Sequence, residues 1–344
     1  MKLDKQISEK FHRISFICML LVVLLHSNII STEITSTWSA ALQLFVADGL
    51  CRVAVPFFFM ISGFFFYKEK EYLFADYRKK LKNRFFSLVV PYLCITLSEA
   101  TFLFVLTKYG IGAGIIKGEL QISSANDFLE YIFVSPRLSY QLWFIRDLFV
   151  LTILSPALFA IISVAPKFFL FFLFLLCNFY LSPIFIREDS FIYFSIGAII
   201  ALHYEDIINL QCQNCCLVLA LTLVWLLMCG IVQQKIFRSP FVFLHMRNIL
   251  GVISLWTLHD IVPGCKVKQF LLIFSQYSFW LYLIHEPILT IMRKILLQII
   301  PYSHWASLFI FLSSFAITVV VCISLAKVLK KGIPHFYKLI CGGR

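Results

Sequence analysis

One stretch after another of this chain stays apolar for about 18 residues or more, the length a helix needs to cross a hydrocarbon core, and the charges collect in the short segments between. A chain patterned this way cannot cover itself as a water-soluble globule. Charged residues make up 14% of it, where a globular domain averages about a quarter, and 60% of its residues are hydrophobic. The pattern predicts an all-α, polytopic membrane protein. The 38 Phe, 14 Tyr and 6 Trp agree, because Phe tolerates lipid while Tyr and Trp favour its interfaces.

The net charge of +12 would suit a nucleic-acid partner if the cations formed one surface. They do not. Lys2, Lys5, Lys10 and Arg13 precede the first apolar run, Lys68, Lys70, Arg78, Lys79, Lys80, Lys82 and Arg84 follow the second, and Lys327, Lys330, Lys331 and Lys338 follow the last. That is the arrangement of cytoplasmic loops and ends, so no nucleic acid is expected. Spans are predicted near residues 14–30, 53–67 (after a short lead-in at 42–47), 85–107, 142–164, 168–183, 191–202, 216–232, 241–258, 270–300 and 306–329. About ten spans put both termini on the cytoplasmic side, which all three basic clusters favour; the acidic pair Glu205 and Asp206 falls inside and gives this count no help. The basic start and apolar run at the N-terminus look like a signal peptide. No A-x-A site follows, however, and an uncleaved first helix is expected. Residues 108–141 form the longest non-apolar stretch and are placed outside, where they could contribute to an acceptor site. With no repeat and no linker, residues 1–344 read as a single membrane domain.

The chain has 11 cysteines. Cys18, Cys94, Cys177, Cys229 and Cys322 lie within apolar runs, where cysteine behaves as a small hydrophobe. Cys212, Cys215 and Cys216 form a C-x-x-C-C with no second pair and no histidine nearby. A loop leading into a helix explains them better than zinc.

Ionisable residues inside the spans mark candidate chemistry, since apolar side chains would cross a bilayer at lower cost. His26 stands in the first run, in FHRISFICMLLVVLLHSN. Arg146 and Asp147 open the fourth span, and His285 and Glu286 lie in the ninth. Each has a structural alternative: an ion pair for Arg146 with Asp147, and a hydrogen bond to a neighbouring helix for either histidine. For His26 the chemical reading is favoured, because imidazole titrates near neutrality and can take a proton from a hydroxyl and return it. It lies ~20 Å of helix rise from Arg13, in the outer half of the membrane if Arg13 marks the inner edge. A donor from the cytoplasm and an acceptor outside could meet there only through a cavity reaching that depth.

Several segments resemble, in order, those of the membrane acyltransferase-3 family, ten-helix proteins that O-acylate extracytoplasmic glycans. His26 closes the first helix as that family's histidine does. VPFFFMISGFFFY is similar to its second-helix signature, RFFSLVVPY to its basic approach to the third, and LWFIRDL to its fourth-helix motif. YFSIGAIIA resembles its sixth-helix segment and SFWLYLIHEPI its ninth. The resemblance implies an O-acyltransferase in the cell membrane, by expectation a bacterial inner membrane. It would move an acyl group, usually acetyl, from acyl-CoA to a hydroxyl of a glycan or lipid-linked saccharide. Acyl-CoA would be a co-substrate, with no permanently bound cofactor and no metal. His26 would be the catalytic base with Arg146 beside it, Arg84 and Arg13 would handle the donor, and His285 and Trp143 would face the acceptor. A homodimer is compatible with this reading. Two positions depart from the family pattern. Ser15 stands where the family has an arginine eleven residues before the histidine, and Arg13, the nearest arginine, is about 220° around the helix from His26. Ser87 stands three residues after Arg84, where a second basic residue would complete the pair. A transporter or flippase for a lipid-linked saccharide, and a membrane partner without catalysis in polysaccharide assembly, are the alternative readings. No paired broken helices in two related halves favour the first of these. Acceptor identity and the choice between acetyl and succinyl donors are not written in the sequence.

Overall fold

The computed structural model describes residues 4–30, 37–69, 74–110, 121–134, 136–178, 186–233, 241–262, 264–301 and 303–343. Lys2, Lys70, the centre of the 108–141 stretch and the end of the expected 168–183 span lie outside the described residues. Among those described, 86% are helical and none is in a strand.

The first helix, α1 (Lys5–His26), starts where the Asp4 side chain accepts from the Gln6 N–H at 3.3 Å. The next span departs from expectation. Instead of a lead-in followed by a separate helix, Trp38–Tyr67 runs as one span of 30 residues. It passes through α2 (Trp38–Leu44), a wide π-turn at Phe45–Leu50, a tight 3-10 turn at Cys51–Val53 and α3 (Ala54–Tyr67). Pro56 lacks the N–H that would bond the carbonyl four residues back, and the tightened turn before it absorbs the gap without a break. The third span likewise begins earlier than its apolar pattern suggests. α4 (Phe74–Arg84) continues through a π-turn at Phe85–Val89 into α5 (Val90–Lys108).

The short α6 (Ala125–Phe133) carries a capping box between Ser124 and Asp127. A 3-10 turn, Tyr140–Leu142, leads into α7 (Trp143–Val164), then α8 (Pro166–Leu176), α9 (Glu188–His203) and α10 (Asp206–Asn209). α11 (Cys215–Gln233), α12 (Phe241–Ile261) and α13 (Cys265–Ser275) follow, with Cys215 and Cys216 exposed at the start of α11. The expected 270–300 span is divided: α13 ends at Ser275 and α14 (Ser278–Ile299) bends at Glu286, whose φ −96° and ψ 136° are not helical, just before Pro287. α15 (His304–Gly332) and α16 (Pro334–Ile340) complete the chain.

Among the described residues, five helical spans have the length and composition to cross a membrane: Trp38–Tyr67, Asp76–Lys108, Tyr140–Val164, Phe241–Ile261 and His304–Gly332. α8 and α11 are apolar but shorter. α1 and α14, at 22 residues each, are long enough, but each bears charges: Glu9, Lys10 and Arg13 on one, Glu286, Arg293 and Lys294 on the other. This is a multi-pass membrane protein of helical architecture.

α1 is the hub, packed against α3, α12, α13, α14 and α15. At its start Phe11 meets Phe64, Phe65 and Trp256. At its other end the Arg293 guanidinium donates to the carbonyls of His26 (3.1 Å) and Asn28 (2.7 Å), whose N–H partners the ending helix does not supply. α3 and α9 approach most closely through glycine: a Cβ at Gly63 would overlap the Phe194 carbonyl, and one at Gly197 the Met60 carbonyl. α16 tucks Tyr337 against Trp280, with ring centroids 5.3 Å apart.

Candidate active site

The bend in α14 frees backbone carbonyls that no lipid could satisfy, and neighbouring side chains take them up. Gln141 Nε2 donates to Leu283 O at 3.4 Å, and Ser139 Oγ stands 3.3 Å from Glu286 O. The turn holding those residues therefore lies against the bend, and it carries Tyr140 beside His26.

Tyr140 Oη lies 2.8 Å from His26 Nδ1 and donates to Glu286 Oε1 at 3.4 Å. Glu286 Oε2 accepts from the Thr290 hydroxyl (2.7 Å) and amide (3.3 Å). These partners assign the protons. A phenol has one hydrogen; with it directed to the carboxylate, the Tyr140 oxygen accepts from His26 Nδ1–H. The lone pair of His26 is then on Nε2, the nitrogen a base needs. Tyr140 is 43% exposed and His26 half-buried, so this nitrogen sits at an accessible position while Glu286 behind it is buried.

His285 is fully buried, and its ring stacks on that of His26 with centroids 5.6 Å apart and planes at 26°. Its Nδ1 faces the carbonyls of Leu281 (3.0 Å) and Tyr282 (2.9 Å), which can only accept, so Nδ1 carries the hydrogen. Nε2 is then a buried acceptor without a partner among the described residues. Behind the cluster, Ser139 Oγ and Tyr131 Oη (2.9 Å) both donate to Glu99 on α5.

The other sequence candidates have other partners. Arg146 donates to Val134 O at 3.2 Å and contacts Asp147 at 3.4 Å, its Nε buried without a partner among the described residues. Asp147 also accepts from Ser190 Oγ (2.7 Å) and the Arg187 amide (3.0 Å), tying α7 to the start of α9. Trp143 stacks under the Arg187 guanidinium at 4.4 Å. Arg13 donates to Glu9 and, at 3.1 Å, to Lys268 O, so it faces α13 and not His26. Arg84 ends α4, half-buried and without an ion pair among the described residues. Sequence reasoning passed over Tyr140, Arg293 and Thr290. Arg293 carried the same signal as His26, a charge within an apolar run; Tyr140 carried none, because an aromatic residue at a loop end is ordinary.

The acyltransferase domain pattern of the acyltransferase-3 family matches residues 14–327. The chain belongs to that family. It is also similar to the succinoglycan biosynthesis protein ExoH of Rhizobium meliloti (strain 1021), 24% identical over 260 residues, covering 73% of this chain and 69% of the relative. No solved structure matches the chain. Within this acyltransferase-3 member, four of the six segments that resemble family motifs fall into two groups. VPFFFMISGFFFY and YFSIGAIIA hold the Gly63 and Gly197 contact of α3 with α9, whereas the His26 end of α1 and SFWLYLIHEPI hold the polar cluster.

Proposed function

We propose that this protein moves an acyl group, acetyl in the first instance, from acyl-CoA on the cytoplasmic side to a hydroxyl of an extracytoplasmic glycan or lipid-linked saccharide. What supports the reading most is His26: its Nδ1 is tied through Tyr140 to Glu286, its Nε2 is left for the substrate, and it ends the hub helix of an acyltransferase-3 member. In the reaction His26 Nε2 takes the hydroxyl proton as the oxygen attacks the thioester carbonyl. The carbon–sulfur bond then breaks, and the departing thiolate takes the proton back from His26. Tyr140 and Glu286 hold the imidazole in the tautomer that can do this and stabilise the positive charge it gains. His285, whose ring stacks on that of His26, and Trp143 are proposed to face the acceptor sugar. Arg146 is proposed to act at the reaction centre, and Arg84 and Arg13 to handle the phosphates of the donor at the basic end, as guanidinium groups do by paired charged hydrogen bonds.

The glycan acceptor follows from the name of the relative, a succinoglycan biosynthesis protein, carried here as a proposal. In this reading both termini and the basic end of the bundle lie on the cytoplasmic side, in keeping with the positive-inside pattern, and the membrane is a bacterial inner membrane. The test compares surface glycans by mass spectrometry from cells expressing the unmodified chain, His26→Ala, or neither. Acyl adducts present with the first and absent from the other two are expected. Identical adducts with His26→Ala would overturn the assignment of the base.

A further inference from the structure

One carboxylate inside a span has no part in the chemistry given to His26. Glu99 stands half-buried on α5, within the membrane-crossing stretch Asp76–Lys108. An ionisable group at such a place is costly, so its partners show what it is for. Its Oε2 accepts from Tyr131 Oη at 2.9 Å, and its Oε1 accepts a short bond from Ser139 Oγ. Both donors are fully buried. Tyr131 Oη in turn accepts from the Leu138 amide at 3.1 Å. A single carboxylate therefore gathers α6 and residues 138–139 onto α5.

Tyr140 comes next in the chain. Its own ring is 43% exposed, so packing alone does not fix it. Its neighbours are fixed instead. Ser139 is tied to α5 through Glu99, while Gln141 is tied to α14: its carbonyl accepts from Tyr282 Oη at 2.8 Å and its side-chain amide donates to Leu283 O. Held at both flanks, Tyr140 lies edge-on to the His26 ring, with centroids 5.1 Å apart and planes at 83°, and brings its oxygen to Nδ1. Hydrogen bonds weaken steeply away from their preferred geometry, and a displacement of about 1 Å at a catalytic group can lower a rate by up to about 10²-fold. Loosening the Ser139 anchor thus acts on His26, although Glu99 is bonded to the turn and not to the imidazole.

We propose that Glu99 is a positioning residue for the reaction: by holding Ser139 on α5 it sets Tyr140 against His26. This rests on the reading of His26 as the base. If Glu99 served only to dock α6 on α5, its loss would alter stability and leave the imidazole as it was.

The experiment follows the full chain, labelled with ring-¹⁵N histidine, in nanodiscs. The His26 ring signals are assigned by their loss in His26→Ala, and acylation of surface glycans is measured by mass spectrometry in cells expressing the same variants. Tyr140→Phe should move the His26 signals by removing the bond at Nδ1. Glu99→Ala should move them in the same direction and lower acylation about tenfold, the equivalent of one hydrogen bond. In the Tyr140→Phe background Glu99→Ala should add little to either change, because both act through one contact. Glu99→Gln keeps one acceptor oxygen and should fall between Glu99→Ala and the unmodified chain. Ser139→Ala removes one donor and leaves the Tyr131 bond in place; it should reproduce the shift, and it carries the test if Glu99→Ala does not elute as a single species. If the His26 signals stay in place in Glu99→Ala and Ser139→Ala, or if the losses from Glu99→Ala and Tyr140→Phe simply multiply, the proposal is wrong. If His26→Ala leaves acylation unchanged, the assignment of the base is wrong, and the His26 signals still decide whether Glu99 sets Tyr140.

Discussion

Two contacts in this bundle show how one chain divides its sequence between holding together and reacting. Between α3 and α9 the helices meet through Gly63 and Gly197, so closely that backbone stands against backbone. Between α1 and α14 they meet through His26, His285, Glu286 and Arg293, and the contact is polar. In lipid, helices gain nothing from burying one apolar surface against another, so close van der Waals packing has to hold them, and small residues allow it. The second contact spends buried polar groups where apolar packing would have been simpler. Such groups in a membrane core mark function.

The contrast breaks most sharply at the glycines. Gly197→Leu should abolish monodisperse elution in fluorescence-detected gel filtration, since the new side chain must displace the Met60 backbone; overpacking of even yielding sites costs about 1–3 kcal/mol. At the polar contact the outcome should invert. His26→Ala should elute as the unmodified chain does and lose glycan acylation, a drop of roughly 10²–10⁴-fold for a removed general base. Tyr140→Phe keeps the ring against His26 but removes the link to Glu286, and should lower the rate of acylation about tenfold, the equivalent of one hydrogen bond. Combined with Glu286→Gln it should cost less than the product of the two single effects, because both act through the same bond. The smallest change is expected at α6. The amide of Ser123, then the hydroxyl and amide of Ser124, hold the Asp127 carboxyl below its usual range. A lowered carboxylate supports α6 above the ordinary aspartate range, and that support fades as pH falls through the lowered value. Asp127→Asn should speed proteolysis near α6 at neutral pH and leave acylation unchanged.

The helical class was legible because apolar run length is a local property, and the same is true of His26, an ionisable residue in an apolar run. Family resemblance reached further, placing His26 and His285 among the site residues; their rings stack. What could not be read was partnership across distance. Tyr140 meets His26 over 114 residues and Arg293 meets the same histidine's carbonyl over 267, and no periodicity encodes such pairs. Arg13 shows the same limit: its place before the first span did not reveal its partners, Glu9 one turn away and the Lys268 carbonyl. The continuity of Trp38–Tyr67 was hidden because Asp48, Gly49 and Arg52 interrupt the apolar pattern between the lead-in and the expected span.

Arg293 has a consequence for the bilayer itself. By gripping the last carbonyls of α1 from α14, it ties the two helices at the level of His26. Thinner or thicker lipid tilts a lone helix. Here it would tilt the pair, and the histidines would travel together with their spacing kept. Acylation measured in discs of short and long acyl chains should therefore vary little, and Arg293→Ala should make it depend on lipid length.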